Sequence, residues 1–278
     1  MTDDKESFID IGLKIKKGQR LVLYLPWENA DVEDLYEIIK CEDVLDAIFN
    51  EHLAISRTSD DAYLTVSRSN EKFDVVRACI HTNKIKIQNS TNHSDYTRLT
   101  VEANPQGQNI DIAYVRLRAR GFKRGIFNRE HSIKPRWLSP YKESIEAIDF
   151  RVNELRTVKQ SDLDREKDFK IPKIGTLHFF LLKHFSELST IVSPNYDRCR
   201  ELEDKAWDKY LCIDHTDDKA LAYHWKKNKI EEEQHFSVLA TFATKKVSVW
   251  TLTFYIAVLI GLNILSSWIC SWIDFLCP

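Results

Sequence analysis

Residues 247–273 read VSVWTLTFYIAVLIGLNILSSWICSWI, and this stretch decides how the rest of the chain is interpreted. It contains no Lys, Arg, Asp or Glu, although 29% of the whole chain is charged. A helix over 249–269 would be about 32 Å long, which matches the hydrocarbon layer of a membrane. The alternative is a buried core helix, but such helices seldom run this far without a charge. The stretch therefore predicts a single transmembrane helix.

The charges beside this stretch predict its orientation. Lys245 and Lys246 precede it, and Asp274 is the one charged residue that follows. Because Lys and Arg concentrate on the cytoplasmic side of membrane helices, residues 1–246 are expected in the cytoplasm and 274–278 form a short external tail. We therefore expect a single-pass protein of the cell inner membrane. Six widely spaced cysteines, with no paired motif, are typical of a reducing compartment.

The spacing of apolar residues predicts an α+β fold that begins with a β-rich domain over 1–140. Strict alternation predicts a strand over 9–15. Residues 21–25 predict a second strand, paired with the first as a hairpin. Apolar stripes over 31–54 predict one long helix or two shorter ones, and several more strands are expected between 62 and 120.

A helical domain is expected over 141–246. Ile145, Ile148, Val152, Leu155 and Val158 recur at spacings of three and four, as on an amphipathic helix. Further helices are predicted over 174–192, 196–213 and 217–228, and a last one from 230 that continues into the transmembrane helix over 247–273. The C-terminal half of the predicted fold is therefore helical.

Charge is unevenly distributed along the predicted β-rich domain. Residues 1–61 carry 7 Lys and Arg against 15 Asp and Glu, whereas 62–140 carry 14 against 6. The basic residues concentrate in 114–137, YVRLRARGFKRGIFNREHSIKPRW, where Glu130 is the one acid. Aromatic rings are interleaved with these charges. Flat rings among basic groups favour a phosphate-bearing partner such as a nucleic acid or a nucleotide.

Six residues of this basic stretch are the candidate anion-binding or nucleic-acid-binding site: Arg116, Arg118, Arg120, Lys123, Arg124 and Arg129. On a strand, the first three share one face. Two other interpretations stay open. The strand could pair with the acidic residues of 1–61 inside the fold, or the basic groups could contact anionic lipid beside the membrane helix.

Catalytic motifs are missing from the sequence. The chain has only 7 glycines, and it contains no glycine-rich phosphate loop, no HExxH and no GxSxG. We therefore name no catalytic residue, no metal site and no cofactor, and we favour a protein that is not an enzyme.

The predicted membrane helix carries two features that suggest self-association. Thr253, Ala257 and Gly261 are spaced by four, which gives a face of small residues along which two helices can approach closely. Asn263 adds an amide that lipid cannot hydrogen-bond. Ala257, Gly261 and Asn263 are thus the candidate association residues, and a homo-oligomer is expected. The alternative is that a lone anchor merely tolerates small and polar residues.

The layout, a sensor-like region followed by the span at 249–269, resembles the membrane-acting effectors of bacterial anti-phage defence systems, such as those paired with retrons. This resemblance implies a membrane-anchored, non-enzymatic effector. Its cytosolic part would sense a nucleic acid, a nucleotide or a regulatory protein partner, and its membrane helix would oligomerise to perturb the inner membrane, as in abortive infection. Two other functions remain open: a tail-anchored scaffold or adaptor that recruits cytosolic partners, and a membrane-tethered hydrolase.

Overall fold

The computed structural model describes residues 7–16, 18–57, 62–68, 71–88, 93–103, 111–122, 125–133, 141–154, 170–202, 204–211, 220–232, 234–247 and 249–276.

These ranges contain mostly β-structure, with 59% strand and 20% helix. The strands are β1 (Ile9–Lys16), β2 (Arg20–Leu25), β3 (Asp31–Asp34), β4 (Ala54–Arg57), β5 (Tyr63–Arg68), β6 (Glu71–Val76), β7 (Ala78–Gln88), β8 (His93–Ala103), β9 (Ile112–Arg120), β10 (Asn128–Ile133), β11 (Tyr141–Val152), β12 (Ile174–His184), β13 (Leu188–Ser193), β14 (Arg198–Glu201), β15 (Ala220–Ile230) and β16 (Phe236–Val247). The helices are α1 (Tyr36–Ile39), α2 (Glu42–Phe49), α3 (Asp204–Leu211) and α4 (Val249–Leu276).

The strands form four sheets. Sheet A has the order β1-β9-β6-β5-β4, with β3 also paired to β9, and sheet B has the order β2-β8-β7. Sheet C is β10-β11-β16-β13, and sheet D is β12-β15-β14. Paired strands run antiparallel, except that β6 and β9 run parallel.

The predicted β-rich character of the N-terminal part is confirmed, but its pairing was predicted wrongly in one place. Alternation in β1 places its apolar residues in a core with those of β9. However, β1 pairs with β9 and β2 pairs with β8, so the two first strands do not form a hairpin. Within 31–54, α1 and α2 are helical as predicted, whereas 31–34 is strand β3.

The prediction of a helical C-terminal half, and with it the α+β fold class, is wrong. Of the helix predicted from Ile145, the part up to Val152 lies in β11, and Leu155 and Val158 lie outside the described residues. The helix predicted over 174–192 is β12 and β13, and 217–228 falls largely in β15. The helix predicted to run from 230 into the membrane helix is also wrong, because β16 occupies Phe236–Val247. Within 196–213, helix α3 is short and β14 precedes it. In β11, the buried Ile148 and its neighbours Phe150 and Val152 follow a period of two on one face, which the coincident spacing of three and four concealed.

Three apolar clusters hold these elements together. The first packs α1 and α2 against β5 and β6, and it receives Tyr210 from α3. The second fills the space between sheets A and B, around Trp27 and Leu117. The third lies between sheets C and D, where Trp225 of β15 and Phe242 of β16 are almost fully buried. Tyr210 therefore ties the C-terminal part to the N-terminal core, and the boundary predicted at residue 140 stays a prediction.

Helix α4 differs from every other described element. Its segment Leu252–Cys270 spans 19 residues and is long and apolar enough to cross a membrane, judged by length and composition. None of this segment is buried against the rest of the described protein. Strand β16, an inner strand of sheet C, ends at Val247, so one residue separates it from the helix.

Candidate functional site

The structure places Arg118 of the predicted basic site inside the protein. Its side chain is only 2% exposed. Its Nε and Nη2 atoms donate to the two carboxylate oxygens of Asp10, at 2.8 and 2.9 Å, and Nη2 also donates to the backbone oxygen of Tyr210 at 3.3 Å. Burial disfavours a charged guanidinium, but Asp10 and Tyr210 together outweigh burial and raise the pKa of Arg118.

Arg116 belongs to the same buried network. Its Nε donates to the hydroxyl of Tyr210 at 2.5 Å, and its Nη1 donates to the hydroxyl of Tyr114 at 2.9 Å. Tyr210 in turn donates its own proton to Asp10. Burial raises the pKa of Tyr210, which keeps the hydroxyl protonated for that role. The network therefore joins β1, β9 and α3.

The remaining predicted residues are not gathered around this network. Arg120 forms an ion pair with Glu33 of β3, at 2.7 Å. Arg129 is exposed on β10 of sheet C, and Lys123 and Arg124 lie outside the described residues. The three arginines of β9 thus contact groups of the chain itself, which is the arrangement expected if the basic strand pairs with the acidic segment.

A second polar face, which the sequence analysis missed, lies on the outer side of sheet D. Phe179, Tyr223 and Trp225 of β12 and β15 point into the third apolar cluster. The residues between them therefore point outward. The register aligns Phe180 with His224 and His224 with Arg198, and it aligns His178 with Lys226. We call this set the ring face: His178, Phe180, Arg198, Arg200, His224 and Lys226.

Three rings of the ring face are nearly parallel. Phe180 and His224 lie 4.3 Å apart between ring centroids with an angle of 6° between their planes, and His178 lies 5.2 Å from His224 with an angle of 9°. Nδ1 of His178 and Nε2 of His224 are 2.9 Å apart, so one donates a hydrogen bond to the other. Phe180 is 48% exposed. The rings therefore form an aromatic surface that solvent reaches.

Positive charge surrounds these rings. Burial, and then the charges of His224, Lys226, Arg68 and Lys14, lower the pKa of His178. Burial also lowers the pKa of His224, which Asp197 partly offsets. Both rings are therefore neutral near pH 7. The carboxylate of Asp197 accepts a hydrogen bond from the backbone N–H of Lys226 at 2.6 Å, so this acid is held at the edge of the face.

The neighbouring cations from the N-terminal part have partners of their own. Lys14 forms an ion pair with Glu71 at 2.6 Å, and Arg68 forms one with Glu51. On β14, Arg200 donates to the side-chain oxygen of Asn50, whereas Arg198 and Lys226 are exposed. The signal for this face was present in the sequence as alternation: His178 with Phe180, Arg198 with Arg200, and His224 with Lys226. It was missed because these segments were assigned to helices.

The predicted association residues lie on α4. Ala257, Gly261 and Asn263 are all exposed. A Cβ atom added at Gly261 would meet nothing within 4 Å. On a helix, Ala257 and Gly261 share a face, while Asn263 lies about 200° further around the axis. The structure thus leaves both faces of α4 open for contact with another copy or with lipid.

Among the described residues, no group of three or more His, Cys, Asp or Glu side chains is arranged to hold a metal ion. No protein-family model, no curated protein and no solved structure matches this chain.

Proposed function

We propose that the protein is a single-pass, non-enzymatic membrane effector, in the manner of the anti-phage effectors that its layout resembles. Its strand-rich part lies in the cytoplasm, and α4 crosses and perturbs the inner membrane. The observation that carries this proposal is the apolar segment Leu252–Cys270, which the rest of the described protein leaves uncovered. Each large apolar side chain left in water costs about 1.5–3 kcal/mol. A bilayer covers all of these side chains at once.

Self-association follows from the polar and small residues of this helix. Asn263 lies about 17 Å along α4 from Leu252, near the centre of a 30 Å hydrocarbon layer. Burying an amide there without a hydrogen-bond partner costs about 2–7 kcal/mol. A second copy of α4 that packs on the Asn263 face supplies that partner. The Ala257–Gly261 face, on the other side of the helix, allows a close backbone approach to a further copy.

Sheet C provides the link between the cytosolic part and the membrane. Strand β16 is paired with β11 along its full length, up to the pair of Tyr141 with Val247. Since α4 begins at Val249, a change in the position of β16 moves the start of the helix directly. A regulatory partner or ligand that binds the strand-rich part would in this way control how the helices associate.

The proposal is tested by producing the full chain in bacteria and following the membrane potential with a voltage-sensitive dye. The parent is expected to depolarise the membrane and stop growth. Gly261→Leu and Asn263→Leu should relieve both effects at equal membrane insertion, because one blocks close approach and the other removes the interhelical amide. Ile264→Leu, a conservative change in the same region, is the matched control and should behave as the parent.

Two results would contradict the effector function. If the parent is harmless, or if both variants stay as toxic as the parent, perturbation by associated helices is wrong. A scaffold that recruits cytosolic partners through a passive anchor would then explain the uncovered helix better.

A further inference from the structure

Phe180 of the ring face stacks on His224 with one side of its ring and is open to solvent elsewhere. Phe180, His178 and His224 are nearly parallel, and Phe180 is about half exposed. A planar ligand can extend such a stack, since every nucleobase presents a π-face of similar size. The phenyl ring stacks with any base and cannot discriminate among bases by hydrogen bonding. The face is therefore suited to a ligand with flat rings that stack on exposed side chains.

The cations around the rings indicate that the ligand also carries negatively charged groups. Arg198 lies opposite His224 and Lys226 lies opposite His178, so each imidazole has a cation beside it in the sheet. Arg200 follows two residues after Arg198 on the same face, about 7 Å along β14. Guanidinium and ammonium groups in this arrangement bind the oxygens of phosphates. Asp197 is engaged by the backbone of Lys226 and lies at the edge of the set.

We propose that the ring face binds single-stranded nucleic acid, with bases stacked on Phe180, His178 and His224 and phosphates held by Arg198, Arg200 and Lys226. The combination of stacked rings and a row of cations on a sheet face is the pattern by which sequence-tolerant single-strand binders work. This site is distinct from the arginines of β9, which contact Asp10, Glu33 and the hydroxyls of Tyr114 and Tyr210. It goes beyond the proposed membrane function by giving the strand-rich part a ligand.

The test uses the full chain in detergent and a fluorescein-labelled oligothymidylate of about 12 nucleotides, a length within the range of known single-strand sites. Binding is followed by fluorescence anisotropy at several salt concentrations. Phe180→Ala should weaken binding about tenfold, because it removes a stacking ring. Lys226→Gln should weaken binding and lower the salt slope by about 0.7, the value for one lost phosphate contact on a single strand.

Matched controls lie close to both positions. Lys227 follows Lys226 on β15 and, by alternation, faces the other side of the strand. Phe185 is exposed in the turn after β12, outside the ring face. Lys227→Gln and Phe185→Ala should bind as the parent does. All four changes are at exposed side chains, so their thermal unfolding should match that of the parent, and circular dichroism checks this.

The outcomes separate the alternatives. Absence of binding by the parent overturns the proposal, and so does binding that Phe180→Ala leaves unchanged, because charge alone would then explain it. Thymidine monophosphate that competes as tightly as the oligonucleotide would assign the face to a free nucleotide and overturn the single-strand assignment. None of these results bears on membrane depolarisation, which is measured separately, so failure of this site and failure of the membrane function are distinguishable.

Discussion

The guanidinium of Arg118 and the carboxylate of Asp10 form a two-bond ion pair across 108 residues of sequence, and both side chains are largely withdrawn from water. This pair joins the acidic and basic segments of the sequence, since β9 from the basic segment lies between β1 and β3 from the acidic one. Other pairs join the same two segments: Lys14 with Glu71, Arg20 with Glu102, Arg68 with Glu51, Arg77 with Glu37 and Arg120 with Glu33. Opposite charges in 1–61 and 62–140 thus meet within the fold.

Removing one partner of the buried pair is expected to destabilise the protein strongly. Arg118→Gln leaves the carboxylate of Asp10 without its guanidinium, and breaking such a pair costs about 3–5 kcal/mol. Arg120→Gln is the matched control on the same strand, because its pair with Glu33 is partly exposed and should be worth about 1 kcal/mol or less. Urea unfolding of the detergent-solubilised chain measures both. If both variants lose the same small amount of unfolding free energy, Arg118 is not needed for stability and is available for another role.

A methyl group at Gly12 is expected to disturb the same network. A Cβ atom there would lie 2.6 Å from the hydroxyl of Tyr114, which already accepts a hydrogen bond from Arg116. Overpacking of this kind costs about 1–3 kcal/mol. Gly175→Ala is the matched control, since nothing lies within 4 Å of a Cβ at that position. Gly12→Ala should therefore unfold at a lower temperature than Gly175→Ala, and the same melting point for both would contradict the described packing.

Acidification is expected to strengthen oligonucleotide binding at the ring face. Burial lowers the pKa values of both His178 and His224 from 6.5, so both rings are mostly neutral at pH 7.5 and gain charge on acidification. Protonation adds positive charge, and bound phosphate favours it. The charged groups that face the two rings are Lys14, Arg68, Asp197, Arg198, Arg200 and Lys226.

Anisotropy titrations at pH 7.5 and 5.5, at constant salt, check this expectation. Replacing both histidines with Asn should flatten the pH dependence. Acidification should strengthen binding but lower the stability of the folded protein. Because the folded protein binds these protons less readily than the unfolded chain, the free energy of unfolding should fall as the pH drops through about 6.5. Binding that weakens on acidification in the parent would contradict the proposed site.

Local pattern predicted part of this structure. The alternation of β1 was sufficient to predict a strand, and the charge-free run in α4 was sufficient to predict a long helix. A period of two and a long apolar stretch each fit few other structures. The partner of β1 could not be predicted, since β9 lies about a hundred residues away and pairing at that distance depends on the whole core. For the same reason, the basic run 114–137 indicated positive charge but did not indicate its partners. Arg118 binds Asp10 and Arg116 binds Tyr210, and both partners lie far away in the sequence.

In the C-terminal half, the spacing of apolar residues did not distinguish a helix from a strand. In 145–152, Ile145, Ile148 and Val152 fit a helical stripe, yet Ile148, Phe150 and Val152 fit a strand equally well. Pairing of β11 with β16 decides between the two. Once 174–192 and 217–228 were assigned to helices, His178 and His224 could not be placed side by side. In the structure, register brings their rings together from positions 46 residues apart.

The account depends most directly on α4 crossing the membrane with the strand-rich part in the cytoplasm. Single-cysteine variants that keep either Cys79, which is exposed on β7, or Cys277 test this in intact spheroplasts with a membrane-impermeant maleimide. We predict that Cys277 is labelled from outside, and that Cys79 is labelled only after lysis. Labelling of Cys79 in intact spheroplasts, or recovery of the full chain in the soluble fraction without detergent, would contradict the account.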